Sequence, residues 1–513
     1  MAYIENSARK QPNLFSAIAI GVGSIIGSGW LFASYKAAKF AGPASILSWI
    51  VGAGFALLIA LLLAEIASIY HKETGLFARL LTISHNRDYG FVISSTNWFT
   101  AIIIIPAEAE ATMQYLSTAI PALSDYLFVN NHFTAWGIFG TCVVMGLYGV
   151  LNYWGIKLLT RANNIITLIK FIVPVLTAII FFVASFSSSN FSAYHNTIAP
   201  YGYGNALTAI VTCGIFYSFY GFSSITTFTK ELNNPQRNVP LALCSSVIIC
   251  LIIYLLLQIS FIGAVNSNDI AINGWHSLNF TSPLAQLAQL LGINWLTIVM
   301  YADAAVSPSG TGIIYVGSSA RMFTGMAEDG QMPKIFAKEH ALHGVSRLSI
   351  FVTLVICMSL VIFFDNWDKI MIIVSVFLLI SCLAVPIAFV RLRRDEPDID
   401  RTFKMPLGLL ISYITYIFIS YLLVQCGTVA LWLSLAFHLI LFLVYCAIYY
   451  KQLRRRVRAF ASTWTIFLYL LVMLLFGYIQ EKNLLNNLSM LAIFVVVSTF
   501  IYYFLVHQKS YND

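Results

Sequence analysis

Two glycine-rich strings set among apolar residues carry most of the chemistry this sequence offers: Gly21-Val-Gly-Ser-Ile-Ile-Gly-Ser-Gly29 and Phe216-Tyr-Ser-Phe-Tyr-Gly-Phe-Ser223. Glycine reaches dihedrals in which a helix is left. Backbone that leaves a helix inside a bilayer must have its free N–H and C=O groups satisfied, and a bound zwitterion does this from both ends. The amides of Gly27, Ser28 and Gly29 would face its carboxylate at the positive end of the half-helix that follows. The carbonyls of Ile25, Tyr217 and Tyr220 would accept from its ammonium group, with Phe219 and Gly221 in the same wall. An α-amino acid has this pairing of charges. The competing explanation for Gly23-xxx-Gly27 is close helix packing, but packing does not demand a second interrupted, aromatic segment. Neither string has GxGxxG spacing or a βαβ setting, which sets nucleotide binding aside.

Ionisable residues inside apolar stretches are the second group of candidates, because each is costly there unless it has a task or a partner. Lys170, in Asn163-Asn-Ile-Ile-Thr-Leu-Ile-Lys170, is the one basic residue placed away from the ends of its stretch. A lysine held out of water can release and take back a proton near neutral pH; the alternative is a lysine snorkelling to a surface a turn or two away. The run Ser307-Pro-Ser-Gly-Thr311 suggests a polar break, with Ser307 and Ser309 as partners for Lys170 and for the first string at Gly23, or else hydrogen bonds around a proline kink. Asp303 lies one turn before it. Pro106-Ala-Glu-Ala-Glu-Ala brings two carboxylates, Glu108 and Glu110, whose spacing points them to roughly opposite sides of a helix, so they cannot both line one cavity. Glu65 reads as part of an inner gate or a structural ion pair. No histidine pair has metal-ligand spacing and none of the eight cysteines forms a CxxC, so neither metal nor other cofactor is expected.

The elements that position these residues must be helices in lipid. A chain of 513 residues with 59% hydrophobic and 10% charged residues cannot be covered by a polar surface, and a span needs about 20 apolar residues. Fourteen stretches qualify: Leu14–Ser34, Pro43–Tyr70, Gly90–Ser117, Ala135–Gly155, Ile165–Phe186, Leu207–Thr229, Leu241–Val265, Trp295–Met322, Leu348–Phe364, Ile370–Val390, Leu407–Val424, Ala430–Tyr450, Thr463–Tyr478 and Met490–Val506. They are spans one to fourteen below. With the amino terminus on the cytoplasmic side, 24 of the 29 lysines and arginines fall in cytoplasmic segments, so both termini are expected there. The net charge of +8 then reflects topology and contact with anionic lipid headgroups, not nucleic acid. The start, MAYIENSARKQPN, is polar and has no cleavage-site pattern of a signal peptide behind it. The two interrupted spans, one and six, lie 193 residues apart from Ser28 to Gly221, and similar offsets separate spans three and eight and spans five and ten. Two five-span repeats, the second inverted, would give this, and interrupted helices in matching positions point to a transporter's substrate site.

The two strings, with Lys230-Glu-Leu-Asn-Asn-Pro-Gln-Arg-Asn-Val-Pro240 and Ser319-Ala-Arg-Met-Phe-Thr-Gly-Met-Ala-Glu-Asp-Gly-Gln-Met-Pro333, resemble the amino acid–polyamine–organocation transporters over residues 13 to 395. Within that superfamily the chain is similar to bacterial aspartate–proton symporters. The resemblance implies an all-α integral membrane protein with a LeuT-like core of inverted 5+5 repeats, helices one and six discontinuous. The core would be residues 1–395, with repeats at about 13–186 and 207–390, and residues 396–513 would hold the peripheral spans eleven to fourteen. It also implies that a lysine at the place of Lys170 takes the position of a sodium ion, which favours proton coupling. Many members carry an acid two positions after the sixth-span glycine; here that residue is Ser223, and the carboxylate's role does not transfer.

The expectation is a secondary active amino acid transporter of the cell membrane, with amino acid, protons and lipid as its partners. Proton symport and exchange on the same fold both remain open. So do acidic substrates (aspartate or glutamate), cationic ones suited to Glu108 and Glu110, and apolar ones suited to Trp30, Phe219 and Tyr220. An enzyme is excluded by the lack of a nucleophile–base or metal constellation.

Overall fold

In hydrocarbon every backbone group must find its partner within the chain, and a helix achieves this locally. A computed structural model describes residues 13–71, 73, 76–130, 132–153, 156–227, 232–338, 346–364 and 366–508, and for 156–165 the backbone alone. Each of the fourteen apolar stretches falls on helix there. Lys230 and Glu231 of the third quoted motif, and the ends of spans four and six at Gly155 and Thr229, lie outside the described residues. The strands among the described residues are one short antiparallel pair, Phe128–Val129 with His132–Phe133.

Nine described helices are long and apolar enough to cross a membrane, or ten if the bent pair Tyr203–Thr212 and Ile215–Thr226, angled at 57°, is one span. The expected count of fourteen is not reached by that measure, for physical reasons. Leu14–Ile25, Arg347–Phe363 and Gly408–Val424 are short. Gly29–Ile69 is a single apolar run that turns at Gly42 and holds half of span one together with span two. Asn294–Glu328 is long, but Asp303, Arg321, Glu328 and a serine- and glycine-rich middle dilute its apolar character.

Packing sorts the helices into two groups. Spans one, two, six and seven contact one another, as do spans three, four, eight and nine, while spans five and ten touch both groups and the last four pack on spans two, three and ten. The breaks of spans one and six meet. Span one is helical at Leu14–Ile25 and again at Gly29–Ala41. Span six runs Tyr203–Thr212, Ile215–Phe219 and then a 3-10 turn at Phe222–Thr227. Gly221 sits between the last two at φ +119, and a Cβ there would strike the carbonyl of Ser24. Only glycine tolerates both the dihedral and the approach.

At the end of span two away from the Gly29–Ala41 half-helix, Glu65 is buried and ties three segments together. Arg393 donates to it through Nε at 2.8 Å and Nη2 at 2.6 Å, the Met405 amide donates at 2.7 Å, and Arg401 lies 3.3 Å away. The forked guanidinium matches the carboxylate geometry. Removing one partner of a buried pair leaves the other charge uncompensated. Glu65→Ala should therefore cost about 3 kcal/mol, seen as a lower thermal midpoint in detergent; an unchanged midpoint would show that the cluster adds nothing to stability.

Candidate substrate and ion site

The break in span one leaves amides without helical partners at the positive end of Gly29–Ala41. Ser28 is the N-cap of that half-helix, and its backbone N–H donates to Oε2 of Glu108 at 2.7 Å. The other oxygen, Oε1, accepts from the Tyr217 hydroxyl of span six at 2.6 Å. Glu108 is fully buried. Gly27 makes this approach possible, since a Cβ there would sit 2.5 Å from Oε1. The hydroxyl of Ser28 accepts from the indole Nε1 of Trp367 at 3.2 Å. The amide expected to receive a ligand carboxylate thus already holds one that belongs to the protein. Of the two carboxylates in span three, it is Glu108 that reaches the break; Glu110 is equally buried.

Lys170 does not snorkel. Its neighbours Phe171 and Ile172 are exposed on the lipid-facing side of span five, whereas Lys170 is 1% exposed. Its ammonium group donates to the Gly23 carbonyl at 3.0 Å and to the Thr311 hydroxyl at 2.5 Å. Thr311 in turn lies 3.4 Å from the carbonyl of Ile26. Lys170 therefore joins span five to the end of the first half-helix and to span eight.

Two expectations for span eight are corrected. Asn294–Glu328 is one continuous helix with Pro308 inside it, not a broken one. Ser307 shares a helix face with Thr311 but sits one turn away, and Ser309 is on another face, so the partner presented to Lys170 is Thr311, not Ser307 or Ser309. Ser307 donates to Oδ1 of Asp303 at 2.7 Å, and Ser309 accepts from Tyr148 at 3.1 Å. Asp303 is buried on the same helix.

The carbonyls expected to face an ammonium group are partly engaged. That of Tyr217 accepts from the Tyr220 amide at 2.9 Å, and that of Ile25 has the Tyr254 hydroxyl 3.5 Å away. A carbonyl has two lone pairs, so neither is saturated by one donor. Tyr220 lies over Tyr315 with ring centres 6.3 Å apart. Phe219 is fully buried against Trp49 and Tyr254, so it braces the break from behind, on the side of spans two and seven.

Trp367 escapes a reading of the sequence, where an aromatic at the end of a span looks like an interfacial residue. It covers the break on the side of Gly29–Ala41: its ring centre lies 4.8 Å from that of Phe32, the planes tilted by 35°, and Lys36 lies 5.8 Å from its ring centre. Lys36 also pairs with Asp368 at 2.5 Å. Span one and span ten are thus held together above the site. The signal that could have found this closure is the opposite charge of Lys36 and Asp368 at ends of spans on one side of the membrane.

Residues 13–448 match the family model described as amino acid permease. The chain is 38% identical to the glutamate/serine transporter AimA of Bacillus subtilis over 93% of this chain and 89% of that protein. It is 30% identical to the aspartate-proton symporter of the same organism, over 97% and 96%. The branched-chain amino acid permease BcaP of Bacillus subtilis is 24% identical over 88% and 94%. The chain belongs to the amino acid permease family: it is a multi-pass membrane transporter of amino acids with a LeuT-like fold, not an enzyme. Gly221→Ala should lower amino acid uptake at least about tenfold, since a left-handed φ alone costs an alanine ~1–2 kcal/mol and the Ser24 carbonyl must move as well. Uptake per inserted transporter measures this; wild-type uptake would mean that the contact of the two breaks is not needed.

Proposed function

We propose that this permease is a proton-coupled symporter that binds its amino acid between the breaks of spans one and six and exposes it alternately to the two sides of the membrane. Acidic amino acids, aspartate or glutamate, are the proposed substrates, on the strength of the two relatives whose names carry them. The observation that carries the coupling is the position of Lys170. It is buried, and its ammonium group donates to the Gly23 carbonyl and to Thr311. Loss of its proton removes a charge and a donor at the junction of the two helix groups, so the proton on Lys170 bears on how span one sits against spans five and eight. The substrate carboxylate binds at the amides of Gly27, Ser28 and Gly29, and its ammonium group at the carbonyls of Ile25 and Tyr220.

Residues 1–395 form the transporting core in this reading, and spans eleven to fourteen brace it. The protein lies in the cell membrane with both termini in the cytoplasm, which places Glu65 and Arg393 at the inner end and Lys36, Trp367 and Asp368 at the outer end. The covered site and the Lys36–Asp368 pair then describe a carrier closed to the outside.

Uptake of labelled aspartate, glutamate and serine into proteoliposomes tests this. An inward proton gradient should drive accumulation by the wild type, and Lys170→Ala should lose that accumulation. Exchange that ignores the gradient would contradict symport and leave an exchanger.

A further inference from the structure

The Glu108 carboxylate raises a question that the proposed transport leaves open. The Ser28 amide has one hydrogen, and Glu108 Oε2 accepts it at 2.7 Å. The second carboxylate oxygen takes the Tyr217 hydroxyl at 2.6 Å. Trp367 reaches the Ser28 hydroxyl from above, and Gly27 brings the backbone against Glu108 from the side. A substrate carboxylate aimed at the same amide would meet a like charge within hydrogen-bonding distance, in a place buried from bulk solvent, and two carboxylates so placed cannot both stay ionised.

We propose that Glu108 is a built-in stand-in for the substrate carboxylate, holding the Ser28 amide in the empty carrier and yielding it to the amino acid only on taking up a proton and turning away. The inference rests on the substrate site proposed above and names the group at which proton and substrate meet. The charges balance. One proton adds to a Glu108 oxygen, which becomes a neutral carboxyl group, while the incoming amino acid brings one carboxylate to the amide. The anion at the positive end of Gly29–Ala41 is exchanged, not added. A neutral Glu108 also changes from pure acceptor to donor, so its hydrogen bond from Tyr217 need not persist. In this way the empty carrier satisfies its broken backbone without substrate, and selectivity for a free α-carboxylate follows because only an anion can replace one.

Several titratable groups face Glu108: Tyr217 from span six, Tyr254 from span seven, Tyr148 from span four, Lys170 from span five and Tyr315 from span eight. Asp303, also on span eight, faces Lys170. All of these remain when Glu108 is replaced, so the contribution of Glu108 can be isolated.

The test is equilibrium binding of labelled aspartate, glutamate and serine to the full-length chain in nanodiscs from about pH 5 to about pH 8, spanning the carboxylate-to-histidine range. Wild type, Glu108→Gln and Glu110→Gln are compared. Glutamine imitates the protonated acid. Wild-type affinity should fall with rising pH, and Glu108→Gln should flatten that fall by up to about tenfold per pH unit, the slope carried by one proton. The variant should bind more tightly than the wild type at the alkaline end, and Glu110→Gln should keep the wild-type profile. A Glu108→Gln profile as steep as the wild type overturns the proposal. So does loss of binding at every pH, which would mean that an ionised Glu108 holds the substrate ammonium instead. Proton uptake on adding amino acid to weakly buffered wild-type protein checks the same claim without a variant: about one proton per amino acid supports it, and none overturns it. If the wild type binds no amino acid at any pH, the substrate site itself is wrong, a failure distinct from an unchanged slope.

Discussion

A backbone amide in hydrocarbon must have an acceptor, and the architecture around Ser28 follows from that requirement. Span one stops at Ile25 and restarts at Gly29, leaving donors that no helix turn can satisfy. Glu108 meets this need from span three, Tyr217 fixes the second oxygen of that carboxylate from span six, and Trp367 takes the serine hydroxyl from span ten. Three other spans are drawn to Ser28 of span one. Breaking a helix in lipid thus leaves a place suited to a carboxylate, since the amide needs a good acceptor and the half-helix dipole favours negative charge.

The same constraint operates on the other side of the break. The first half-helix ends with carbonyls that lack helical donors, and Lys170 supplies one at Gly23. A cation at the negative end of Leu14–Ile25 and an anion at the positive end of Gly29–Ala41 complement the two half-helix dipoles. Movement of either half-helix disturbs a buried charge. Pairs of opposite charge at the two ends of the protein, Lys36 with Asp368 and Glu65 with Arg393, link spans one and two to span ten. They are suited to open one at a time while the buried pair of charges between them stays compensated.

Much of this was legible in the sequence because it rests on residue types that are costly in lipid. The helical character of the apolar runs follows from composition, although nine or ten described helices pass as spans where fourteen were expected; the breaks follow from Gly27 and Gly221, and attention to Lys170 from the cost of a lysine among Ile169, Phe171 and Ile172. What was not legible depends on which way a helix faces. Glu108 and Glu110 are equivalent as letters, and only the packing of span three against span one selects Glu108. Thr311 stands in the quoted polar run, yet Ser307 and Ser309 looked as suitable until the unbroken helix set Thr311 opposite Lys170. Trp367 itself gave no signal, since an aromatic at the end of a span reads as an interfacial residue, and only its hydrogen bond to the Ser28 hydroxyl shows otherwise.

In the proposed cycle a carboxylate always occupies the Ser28 amide, that of Glu108 in the empty carrier and that of the amino acid in the loaded one. The most direct measurement is an experimental structure of the chain in nanodiscs with saturating amino acid at acidic pH. The ligand carboxylate is expected within hydrogen-bonding distance of the Ser28 nitrogen, with Glu108 withdrawn from it. An amino acid bound elsewhere, with Glu108 still on Ser28, would contradict the proposed cycle.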